Sequence, residues 1–138
     1  MFGISRPGAH AYREVSVDTD ALAANPHQLI VMLFDGALRA MDTAGAQMAC
    51  GDIEGKGRSI TRAIDIVGSG LAASLDLKQG GELASRLASL YDYIIRQLVA
   101  ANIGNDTHKL ADTRRLLGQM RQNWIDMGGT AAPHGVAA

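Results

Sequence analysis

Near the end of the chain, Leu110, Thr113, Leu117, Met120, Trp124 and Met127 recur at steps of 3, 4, 3, 4 and 3 residues. This is the heptad seam of a helix that packs lengthwise against other helices. Three earlier segments carry apolar faces of helical period. In the first, Asn25 is a good N-cap, Pro26 suits the first helical position and Gln28 completes a capping box. Leu29, Ile30, Leu33, Phe34, Ala37, Ala40, Met41, Ala44 and Met48 then form one broad stripe, which Cys50-Gly51-Asp52 ends. A second helix carries Ile53, Ile60, Ala63, Ile64, Val67, Leu71 and Leu75 on one face. Asp76 to Gly81 reads as a turn. A third helix starts at about Glu82, with Leu83, Leu87, Leu90, Tyr91, Ile94, Ile95 and Leu98 inward. Gly104 is placed to end it in the left-handed conformation, and Asn105 or Asp106 caps the fourth.

Four long amphipathic helices with short connections define an all-α fold, an antiparallel four-helix bundle. Composition agrees: 47% apolar, 20% charged and 4% aromatic residues are globular proportions that lean toward helix. The 138 residues make one domain, large enough to bury a core unaided. Its expected limits are 19–127. Residues 1–18 read as an extended N-terminal arm, within which Tyr12, Val15 and Val17 alternate with polar neighbours. Residues 128–138, small and rich in Gly and Ala, read as a disordered tail.

Several kinds of chemistry find no support. A net charge of -1 argues against a nucleic-acid binder. The four His are scattered at His10, His27, His108 and His134, with no recurring Glu-x-x-His pair, so neither a metal site nor a metal cofactor is expected. Cys50, at a helix C-terminus, is opposed as a thiolate by the dipole and reads as structural. Gly55-Lys56-Gly57 lacks the strand, spacing and hydroxyl of a phosphate loop. Met1 to His10 has no apolar stretch of the signal-peptide kind, and the longest strongly apolar run, Leu29 to Phe34, is far too short to span a bilayer. A cytoplasmic protein with no membrane insertion is expected.

Apolar residues also lie off the core stripes. Ile66, Gly70, Ala73 and Leu77, at steps of 4, 3 and 4, form a second stripe on the second helix, roughly 110° from the first. Val31 and Leu38 lie at the edge of the first helix's stripe, and Tyr93 stands well away from that of the third. Bundle flanks are often apolar without further purpose. Gly70 and Ala73, however, would let another backbone approach closely. An apolar groove without catalytic groups is how an amphipathic helix is received. Val31, Leu38, Ile66, Gly70, Ala73, Leu77 and Tyr93 are therefore the candidate binding residues. A homodimer seam along the same stripe is the alternative. A phosphorelay or metal-dependent bundle, using His27 or His108, is a further one.

The order of short blocks along the chain carries a resemblance. Tyr12 with Val15 and Val17 comes first. Asn25-Pro26-His27-Gln28-Leu29-Ile30 follows, running on to Leu33-Phe34-Asp35-Gly36-Ala37. Then come Gly51-Asp52-Ile53, Gly80-Gly81-Glu82, Leu90-Tyr91-Asp92-Tyr93, Ala101-Asn102-Ile103 and Trp124. In this order and spacing the chain, from about Ala11 to Met127, resembles the FliS family of flagellar secretion chaperones. Asn25 stands where that family usually has Ser, and both are good N-caps. The resemblance implies a non-enzymatic, cytoplasmic chaperone that holds the C-terminal segment of flagellin. Holding it prevents premature polymerisation before delivery to the type III export gate protein FlhA. It also implies that the arm, with Tyr12, Val15 and Val17, folds back on the free bundle and takes part in docking at the gate.

Overall fold

The computed structural model describes residues 25–128. Their architecture is a four-helix bundle: α1 (Pro26–Ala49), α2 (Ile53–Asp65), α3 (Leu77–Gly104) and α4 (Thr107–Met127). The expected arm and tail lie outside the described residues, apart from Gly128 at the foot of α4.

Each helix begins at a side-chain cap. Asn25 Oδ1 accepts from the Gln28 amide at 3.1 Å, Asp52 from Gly55 at 2.9 Å, Asp76 from Lys78 and Gln79 at 3.1 and 3.0 Å, and Asp106 from Lys109 at 3.0 Å. Each of these bonds satisfies amides that a helix start leaves without partners. At the end of α3 the left-handed residue is Asn105 (φ 49°) and not the expected Gly104, which is the last helical residue. Asn tolerates this conformation better than most residues with a Cβ.

The chain visits the four corners in order, so α1 neighbours both α2 and α4, while α3 neighbours α4 and α2. Cross-links show the antiparallel sense. His27, Asp35 and Asp42, descending α1, meet Trp124, Arg121 and Arg114, which run the opposite way on α4. Lys56, early in α2, reaches Asn102, late in α3. The core draws on all four expected stripes, with Leu33, Phe34, Met41, Ile60, Ile94, Leu98 and Leu117 fully enclosed. The α4 seam is buried from Leu110 through Trp124. Phe34 packs at a tilt against Tyr91, and burial pushes the Tyr91 hydroxyl well above its ordinary pKa, keeping it neutral.

Between α2 and α3 the structure departs from the sequence reading. The second helix does not stay α-helical to Leu75. It passes into a π-helix over Ile66–Leu71 and a 3-10 turn over Ala72–Ser74. The π closure, with the Ala72 amide bonded to the Val67 carbonyl, inserts a residue into the turn. Ile66 and Val67, and then Gly70 and Leu71, all face inward. Asp76 to Gly81 is not a simple turn either. Asp76 caps a single helical turn, and Gly81 (φ 58°, ψ -136°) kinks the chain before the rest of α3. That backbone conformation is accessible essentially to glycine alone.

Candidate functional site

Of the candidate binding residues, four belong to the core. Val31 and Leu38 are buried because α1 is flanked by α2 on one side and α4 on the other, which leaves little of its broad stripe uncovered. Ile66 is 0% exposed and Gly70 is buried because the segment Ile66–Leu71 packs against both α1 and α3. Ile66 and Gly70 therefore do not form an outer stripe, and Val31 and Leu38, expected at the edge of the core stripe, are part of the core. Ala73 and Leu77 remain on the surface, with Leu77 57% exposed, and Tyr93 is 44% exposed. Tyr12, Val15 and Val17 lie outside the described residues.

The surface also holds apolar residues that the sequence reading had placed inside. Leu83 and Leu90 are 38% and 37% exposed. They stand one heptad apart, and Gln97 continues the row by another. Gln97 accepts from Lys109 Nζ of α4 at 3.1 Å, so the row runs along the α3–α4 edge. It is closed by a polar pair at one end and uncovered at the other. Tyr93, on the same edge, walls a cavity of about 460 Å³ with Gln97, Lys109, Asp112, Thr113 and Leu116. Leu87 and Leu116 pack against the core from its rim. Leu77, Leu83, Leu90 and Tyr93 are thus large apolar side chains that α3 exposes. Leu83 and Leu90 have the period of the core, because a helical stripe does not reveal which of its members a neighbouring helix covers.

A second apolar group stands near the other end of the bundle: Ile53 at the start of α2, with Val99 and Ile103 on the outer face of α3. Ile53 was expected inward. It occupies the first position of its helix, ahead of the turns that α3 covers. Beside this group Lys56 is almost fully buried, and its Nζ donates to the Asn102 carbonyl at 2.8 Å, near the α3 C-terminus. A cation is favoured at that end of a helix dipole. Gly55 is required by close approach here, since a Cβ would fall 2.2 Å from Asp52 Oδ2.

The opposite corner is built for rigidity. The rings of His27 and Trp124 stack at 4.9 Å with an interplanar angle of 12°. Trp124 Nε1 donates to the His27 carbonyl at 3.1 Å, and His27 Nε2 lies 3.1 Å from the Trp124 carbonyl. No sequence motif revealed this reciprocal clasp, because the partners are 97 residues apart. Asp42 forms a two-pronged pair with Arg114 at 2.9 and 3.2 Å, which holds the guanidinium pKa above its ordinary value. Cys50 is an exposed cap residue at the end of α1. His27 and His108 both sit in first helical turns, His27 engaged with Trp124. Among the described residues, no group of three or more His, Cys, Asp or Glu is placed to hold a metal ion, and no helix is long and apolar enough to cross a membrane.

The described residues form a four-helix bundle with a clasped corner and an apolar helix edge. Comparison with known proteins gives this a lineage: the family model described as flagellar protein FliS matches residues 8–131. The chain belongs to the FliS family of flagellar secretion chaperones. It is 44% identical over 125 residues to the flagellar secretion chaperone FliS of Salmonella typhimurium, covering 91% of this chain and 93% of that one. It is 42% identical to flagellar secretion chaperone FliSB of Pseudomonas aeruginosa, over 82% and 89% of the two chains. Against FliS of Escherichia coli the identity is 36%, over 85% and 86%.

Proposed function

We propose that this protein is a cytoplasmic, non-enzymatic export chaperone that binds the C-terminal segment of flagellin. It keeps that segment from polymerising and delivers it to the export gate protein FlhA. The observation that carries the reading is a set of large apolar side chains on α3 exposed among the described residues, Leu77, Leu83, Leu90 and Tyr93, on a chain of a chaperone family. A bundle that needed no client would have little reason to leave this many large apolar side chains along one helix.

The physics suits the task. A segment disordered when free loses conformational entropy on binding, so it needs an extended contact to be held. The α3 row, running from the Leu77 turn to the cavity beside Tyr93, supplies length rather than one deep pocket. Ala73 lies on the surface beside this path. Val31, Leu38, Ile66 and Gly70 support the surface from beneath and would meet the client only if the helices moved. The arm residues Tyr12, Val15 and Val17 are the proposed contacts for the gate. Release requires no bound nucleotide if the export machinery competes for the client.

Capture of flagellin by the immobilised full chain tests the reading. Intact flagellin should be retained, and flagellin lacking its C-terminal segment should be lost. Equal retention of both, or of neither, refutes the proposal. Tyr93→Ala with Leu90→Asp should weaken retention at least tenfold while the far-ultraviolet dichroism stays unchanged.

A further inference from the structure

The α1–α4 seam carries a charged notch that the proposed client surface does not use. Its volume is about 280 Å³, and its lining includes Asp35, Arg39, Asp42, Arg114, Gly118 and Arg121. Leu38 adds apolar surface to it. Two ion pairs span the seam, Arg121 Nε to Asp35 at 2.5 Å and Arg114 Nε to Asp42 at 2.9 Å. These pairs leave donors over. Arg114 uses Nε and Nη2 on Asp42, while its Nη1 lies 3.5 Å from where a Cβ on Gly118 would stand. Arg121 engages Asp35 through Nε alone. Arg39, exposed and one helical turn from both Asp35 and Asp42, pairs with neither; among the described residues it makes no ion pair or hydrogen bond.

Three guanidinium groups thus line one small notch, each with N–H groups to spare, around a glycine that leaves the space open. Three positive charges against two negative leave one in excess. We propose that this notch is a docking site for an acidic side chain of a protein partner, a Glu or Asp carboxylate received by Arg39, Arg114 and Arg121. A guanidinium is planar and matches a carboxylate two bonds at a time. The chemistry favours a carboxylate over a phosphate, because Asp35 and Asp42 in the same lining repel a second negative charge. The site lies across α4 from the apolar edge of α3, so it would stay open while that edge is covered. It is a surface site, and its affinity should fall with added salt.

The test uses the full chain labelled with nitrogen-15, following the arginine Nε–Hε resonances at low ionic strength. Four probes are titrated: capped tetraglutamate, capped tetraglutamine, sodium acetate and potassium phosphate. The expected result is a saturable shift of the Arg39, Arg114 and Arg121 signals with tetraglutamate, at carboxylate concentrations where acetate gives none. Tetraglutamine should give no shift. Arg39→Gln, which breaks no described pair, should weaken the response about tenfold, and Gly118→Leu, filling the notch, should abolish it. A response to tetraglutamate no larger than to acetate, a stronger response to phosphate, or full affinity in Arg39→Gln would overturn the proposal. If Gly118→Leu fails to fold by circular dichroism, Arg39→Gln decides.

Discussion

The α1–α4 seam and the passage from α2 to α3 meet the same requirement, burying apolar faces, in opposite ways. Along α1–α4 both helices are regular, and the seam is pinned at three levels by the His27–Trp124 clasp, Asp35–Arg121 and Asp42–Arg114. Between α2 and α3 the backbone changes from α to π to 3-10, then bends at Gly81. No described ion pair pins this passage to another helix. It leaves Leu77 in solvent immediately beside buried Leu71 and Ile66. The contrast shows how a small bundle combines a fixed frame with an adaptable face: long-range polar pairs fix one corner, and irregular helix with glycine shapes the other.

Substitutions in the two regions test this contrast. The largest effect is expected at Ile66. An aspartate there would be an unpaired charge in the core, and the variant should lose cooperative unfolding at a cost of about 4 kcal/mol or more. A folded Ile66→Asp protein would mean that the π segment is surface after all. Next, Trp124→Ala should cost about 3–5 kcal/mol in urea unfolding, since it empties a core site and undoes the clasp together. Gly128 reports on the same clasp, because a Cβ there would fall 2.1 Å from His27 Nε2. If Trp124→Ala cost under about 1 kcal/mol, the α1–α4 corner would not be the rigid one. Gly81→Ala forces a residue with a Cβ into a glycine conformation and should cost about 1–3 kcal/mol. Open space surrounds that position, so the cost is backbone strain. The smallest effect belongs to Leu77→Asp, within about 0.5 kcal/mol of the parent protein, while weakening capture of flagellin. A large loss of stability at Leu77 would erase the difference between the exposed passage and the core beneath it.

Much of this was legible from residue order. Spacing alone located four helices, because amphipathic period and cap residues are local properties. Asn25 with Gln28, Asp106 and the Leu110–Trp124 seam all stand where local chemistry puts them. The ordered blocks likewise carried the family, which needs no coordinates. Tertiary structure decided which apolar residues are covered. Ile66 and Gly70 fall on a second stripe by helical period, and they are buried because α1 and α3 both pack on this segment. Leu83 and Leu90 keep the core period yet reach solvent, since burial depends on which members of a stripe the neighbouring helices cover. The clasp of His27 on Trp124 and the convergence of Arg39, Arg114 and Arg121 were equally beyond local reading. Each joins residues that meet only after the bundle closes, because helix-forming preferences act over a few residues and say nothing about which faces will come to oppose one another.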